Sequence, residues 1–152
     1  MKENPAMKKV IQNMKPGVIS LHGFLGSDRR SIEDIIDHDR GELERLGVDQ
    51  KELAAGLMKL LEKALEGFGE YIKISDLYSV RAESVRGKLP CPFTHPGLFR
   101  KTMVTVRDAD GEDVLSYSEL GIHLIEEHCF FQGKGSPFRI EPQDAVELIN
   151  SL

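Results

Sequence analysis

Two short segments hold most of the side chains in this sequence that could bind a metal or move a proton. Cys91 and His95 lie in CPFTH, while His123, His128 and Cys129 lie in HLIEEHC. Three of the five histidines and both cysteines are therefore concentrated there. Thiolates and imidazoles are the ligands a tetrahedral zinc site takes, and Cys-x₃-His followed by a His and a Cys from a second segment would close one. Prolines 90, 92 and 96 stiffen the first segment and reduce the entropy lost on binding. The expected metal set is Cys91, His95, His128 and Cys129, with zinc as the ion. If the site is catalytic, His95 and His123 are the candidate bases.

Helical arithmetic constrains this set. His123 and His128 are five residues apart, about 140° around a regular helix, so they are not expected to grip one ion together. His128 shares a stripe with Leu120, Gly121, Leu124 and Ile125, a placement that also suits a buried neutral imidazole. His123 stands at the stripe's edge between Glu119 and Glu127, where it could join a carboxylate group. The spacing in HLIEEH matches neither H-E-x-x-H nor H-x-x-E-H.

A second candidate is QGKGSPFR. Its glycines would let backbone N–H groups approach a ligand, and Lys134, Ser136 and Arg139 could hold a phosphate or carboxylate. It is not a Walker loop, and the competing reading is a surface turn. RGKLP, with Arg86 and Lys88, is another basic turn.

VISLHGFLGS, residues 18–27, resembles the strand-and-loop segment of α/β-hydrolase esterases. That resemblance implies backbone donors for an oxyanion, a nucleophile elbow G-x-S-x-G and a parallel sheet. The nearest elbow is Gly133 to Pro137, with Ser136 out of place. Without an elbow the segment reads as a lead-in. Pro16-Gly17 turns the chain, residues 18–21 form a short buried stretch, and Ser27 or Asp28 caps the next helix. His22 and the Gly23–Gly26 turn are left as groups that border a pocket.

The elements that must position these residues follow from periodicity. Ile32, Ile35, Ile36, Leu43 and Leu46 recur at helical steps up to Gly47. Asp49 caps a second helix, with Glu52 three residues on and a stripe of Leu53, Leu57, Leu60, Leu61, Ala64 and Leu65. Past Gly69 the period becomes two. Residues 71–86 and 102–107 read as strands, and DADGED is a hairpin turn before VLSY. The calcium-ladder pattern is incomplete in DADGED. Ser118 caps a helix running to about Cys129, and Glu141-Pro142 opens a last short one. The expected fold is a single α+β domain over 1–152: an N-terminal helical hairpin packed on a small antiparallel sheet, two further C-terminal helices, and a flexible arm over 1–17.

Composition narrows the function classes. The 152 residues are 40% hydrophobic and 30% charged, with a net charge of −5. That balance argues against a phosphate-backbone binder, so no nucleic-acid partner is expected. No apolar run approaches the roughly 18 residues of a membrane span, and no signal-peptide core is visible, so a cytoplasmic protein with no membrane partner is expected. The leading functional expectation is a small-ligand or metal-binding protein, with hydrolysis or transfer on a small anionic substrate as the reaction class. The rival is a non-enzymatic interaction module or homo-oligomer that buries the apolar faces of residues 32–65 against a partner.

Overall fold

A computed structural model describes residues 4–152. The elements in order are α1 (Pro5–Asn13), α2 (Ile32–Leu46), α3 (Gln50–Leu65), β1 (Ile72–Lys73), β2 (Tyr78–Pro90), β3 (Leu98–Asp108), β4 (Asp113–Ser118), α4 (Glu119–His128) and α5 (Pro142–Asn150). The four strands form one antiparallel sheet in the order β1-β2-β3-β4. The architecture is α+β, with α2 and α3 before the sheet and two helices after it, in agreement with the hydrophobic pattern; α3 packs on the sheet, whereas α2 packs against α5.

Both hairpin helices carry their own stop and start signals. Ser31 accepts the Asp34 N–H at the start of α2, and Gly47 ends it in the left-handed conformation at φ 71°. The cap is Ser31 and not Ser27 or Asp28, because the Asp28 carboxylate is drawn to Arg30 and to the Lys134 N–H. Asp49 opens α3 by accepting the N–H groups of Lys51 and Glu52. Leu53, Leu57, Leu60, Leu61 and Ala64 then bury against Val80, Ala82, Val104 and Val106 of the sheet. Register sets Val80 opposite Val106 and Ala82 opposite Val104, so the strands present one apolar face. Each such leucine contributes roughly 1.5–3 kcal/mol of burial. Tyr117, fully buried, donates its hydroxyl to the Leu57 carbonyl at 2.8 Å and so ties sheet to helix. The stripes over 32–65 are thus largely committed to the chain's own core.

A second core lies beside the first and contains the chemistry. It joins Val10, Met14, Phe24, Ile32, Ile35, Cys91, Leu120, Leu124 and Phe130. From Asn4 onward the expected arm is instead structured: Asn4 caps α1, Pro5 takes the first helical position, and Met14 is fully buried. Met14 and Val10 supply the apolar anchor that outweighs two prolines and a lysine-rich surface. Residues 1–3 of the expected arm lie outside the described residues. The stretch expected to be buried at 18–21 is not, with Leu21 78% exposed.

Phe24 to Ser27 and Gln132 to Ser136 clip together as two backbones. Gly133 N–H donates to the Phe24 carbonyl at 2.8 Å, and Ser27 N–H donates to the Lys134 carbonyl at 3.0 Å. A Cβ at Gly26 would run into the backbone of Gly135 and Ser136, and one at Gly133 into Leu25. Glycine is required at both places because two main chains touch there.

Candidate metal centre

The connection between β2 and β3 and the length of α4 build the site. β2 ends at Pro90, and Cys91 follows as a buried residue of the second core. Its carbonyl accepts the Thr94 N–H at 3.1 Å, closing a tight turn in which Thr94 adopts φ 62°. That left-handed value is costly for a β-branched residue and marks a turn held by its surroundings. One of those surroundings is α1, whose buried Asn13 donates its side-chain amide to the Pro92 carbonyl at 3.0 Å. The turn brings Phe93 face to face with His128, with centroids 4.2 Å apart and planes 20° off parallel. Phe99, at the start of β3, lies over His123 at 4.2 Å.

α4 supplies the imidazoles. Ser118 caps it by accepting the Gly121 N–H, and Cys129 ends it at φ 50°. His123 and His128 are both half-buried, with ring centroids 5.4 Å apart. Cys91 Sγ stands 3.4 Å from His128 Nε2. One ligand atom from each of Cys91, His123 and His128 lies within 4.8 Å of the others, which makes these three a group able to hold a metal ion. Around tetrahedral zinc, a sulfur at 2.3 Å and a nitrogen at 2.0–2.1 Å are about 3.5 Å apart. The Cys91–His128 pair already stands at that edge length.

The environment leaves the imidazoles neutral and the thiol protonated. Burial, followed by the nearby His123 and His95, lowers the His128 pKa to about 4. Burial and then His95 also push His123 down. Burial raises the Cys91 thiol, although the Phe93 and His95 backbone N–H groups favour its anion. At neutral pH the ring nitrogens therefore offer lone pairs, and the thiol proton is the one a metal must displace. Nε2 of His123 is buried and has no hydrogen-bond partner among the described residues. An orphaned buried nitrogen inside a Cys/His cluster is the feature that decides the character of the site.

Comparison of the chain with family models, curated proteins and solved structures gave no match.

The expected ligands divide in three ways. Cys91 and His128 lie in the cluster. His95 is exposed at its rim, 4.9 Å from the His123 ring and 5.8 Å from that of His128. With its Nδ1 donating to the Pro96 carbonyl at 3.1 Å, His95 keeps the Nε2 lone pair free. Cys129 lies elsewhere, fully buried in the first core with Leu43 and Phe131, because the left-handed residue that ends α4 turns away from the helix face carrying His128. His123 takes its place in the cluster. The 140° offset that argued against His123 and His128 acting together is bridged by two ring-length side chains reaching toward Cys91 from either side. Helix angle alone does not carry that information.

The glycine loop is internally satisfied. The Lys134 N–H donates to the Asp28 carboxylate at 3.1 Å. Ser136, buried, donates its hydroxyl to Gln132 Oε1 at 2.6 Å. Arg139 is gripped by Asp39 at 2.8 and 3.0 Å and by Glu141 at 2.9 Å. The Arg30 guanidinium beside it, with the Lys134 N–H, holds the Asp28 carboxyl well below the usual carboxylate range, so a fixed anion already stands where a ligand was expected. At the expected anion site of Lys134, Ser136 and Arg139, a backbone donor and two side chains are already taken by the chain's own acceptors.

Proposed function

We propose that this chain binds one zinc ion through Cys91, His123 and His128, with His95 placed to supply a fourth ligand. The observation that carries the reading is the orphaned Nε2 of His123 in a cluster where Cys91 Sγ and His128 Nε2 are 3.4 Å apart. A mixed thiolate–imidazole set is suited to zinc, which takes sulfur and nitrogen in tetrahedral array. The Phe93 and His95 backbone N–H groups would favour the thiolate form of Cys91, and Phe93 stacked on His128 with Phe99 tilted over His123 would hold the rings in place. With His95 engaged the set is closed. With His95 out, three ligands leave a position for water, and an exposed imidazole stands beside it. That open form is the one suited to hydrolysis or transfer on a small anionic substrate.

The test is zinc titration of chelator-stripped protein, followed by native mass spectrometry and calorimetry in buffers of different ionisation enthalpy. One ion per chain is expected, with one proton released from Cys91. Absence of retained zinc at micromolar concentration, or equal retention by a C91A/H123A double variant, would falsify the proposal.

A further inference from the structure

A cavity of about 240 Å³ lies on the half of the β2–β3 ladder that leads to Cys91, with Phe24 and Leu120 of the second core in its wall. One side is formed by the ladder rows Glu83/Met103 and Val85/Lys101. The other side is formed by the clipped loops, through Ser20, Phe24, Gln132 and Phe138, and by the start of α4. Phe24, Val85, Leu89, Met103 and Leu120 make its walls mainly apolar.

The polar groups in the lining are informative because most already have partners. Glu83 is paired with Arg81 at 2.7 Å, and Arg100 with Glu119 at 2.7 Å. Ser20 donates to the Gly23 carbonyl. Lys101, half-buried, makes no ion pair among the described residues. Ser118 Oγ accepts the Gly121 N–H and retains its own proton to give. Gln132 is 3% exposed and sits at φ 73°, a left-handed backbone held in place by the glycine clip. The Ser136 hydroxyl holds its side-chain oxygen, so the remaining polar group of Gln132 is its NH₂, which has no acceptor among the described residues. Apart from the second carboxylate oxygen of Glu83, whose charge Arg81 balances, the uncommitted polar groups of the cavity are therefore donors, and one of them is a full cation.

We infer that this cavity binds a medium-chain monocarboxylate, its apolar body against Phe24, Met103 and Leu120 and its charge answered by Lys101. Uncommitted donors call for an acceptor-only headgroup, and a carboxylate supplies one together with a charge opposite to the ammonium. At roughly 30 Å³ per water-sized volume the cavity holds about eight such volumes, which suits a chain of roughly six to eight carbons. The site shares no side chain with the Cys/His cluster, although Phe24, Leu89 and Leu120 belong to or pack on the core that holds Cys91.

Octanoate is the probe, followed by two-dimensional NMR of the chelator-treated full chain, with octanol and acetate as controls. Octanoate is expected to saturate and to move the side-chain amide signals of Gln132, with octanol and acetate each binding at least fivefold more weakly. Lys101→Met keeps the aliphatic stem of a half-exposed residue and is expected to lower octanoate affinity roughly fivefold. Met103→Trp, which fills the cavity, is expected to abolish saturation while the dispersed spectrum persists. Equal affinity for octanol and octanoate, an unchanged K101M, no saturation at millimolar octanoate, or shifts confined to residues outside the cavity each overturn the assignment. Reloading with zinc is expected to leave octanoate affinity unchanged, so failure here and failure of the zinc reading are separate results.

Discussion

The Cys91–Gly97 connection and the Gln132–Arg139 loop are both short, glycine- or proline-punctuated segments rich in polar side chains, yet their chemistry is opposite. In the second, the donors face acceptors of the same chain: Arg139 is held by Asp39 and Glu141, Ser136 by Gln132, and the Lys134 N–H by Asp28. In the first, a thiol whose side-chain partner is His128 meets a free ring nitrogen of His95 and the Nε2 of His123, which has no hydrogen-bond partner among the described residues. Residue type makes both loops look functional. What separates them is whether each polar atom already has a partner inside the fold.

The largest effect that sharpens this contrast comes from the committed loop. Arg139→Met removes the partner of a fully buried Asp39 and is expected to cost roughly 3–5 kcal/mol of stability in chemical denaturation. Zinc affinity of the folded variant should be unchanged. A stable R139M would mean the pair is dispensable and the loop free for ligand. Next comes the uncommitted region, where Cys91→Ala is expected to weaken zinc binding more than the roughly hundredfold that a second-shell change costs, with little change in unfolding. A pure stability loss with intact binding would move Cys91 back among the ordinary core residues.

The third effect is pH dependence of the zinc-free protein. The folded pKa of His128 is depressed to about 4, below its unfolded value near 6.5, so the unfolded chain binds the proton more readily. Its contribution is present above pH 6.5 and is lost as pH falls toward 4. Between pH 7 and 5 the loss is about 2 kcal/mol, measurable by urea denaturation at each pH, and His128→Phe should flatten it. An equally steep fall in the variant would place the titrating group elsewhere. The smallest effect is expected at Cys129→Ser, whose zinc affinity should stay within about twofold of the parent because its sulfur lies in the other core.

Much of the fold was legible because its signals are local. Ser118, Asp49 and Gly47 act as caps where the pattern placed them, and the switch from helical to alternating periodicity falls where α3 gives way to the strands. α1 was missed because its stability comes from Met14 and Val10 docking on residues far along the chain, a tertiary effect that a lysine-rich, proline-flanked segment does not advertise. The site was half legible. Two segments were marked by composition, but the choice of His123 over Cys129 depends on how α4 sits against the 91–97 turn. The meaning of HGFLGS was hidden for a similar reason: Gly26 serves contact with a backbone more than a hundred residues away, while Gly23 fits against the turn after α1.

The most direct measurement is zinc-edge X-ray absorption on the one-to-one complex. One sulfur at about 2.3 Å together with two or three imidazole nitrogens at about 2.0–2.1 Å is the shell this account predicts. Two sulfurs would bring Cys129 into the site, and a shell of oxygen and nitrogen alone would place the ion elsewhere. Either result would contradict a centre built on Cys91, His123 and His128.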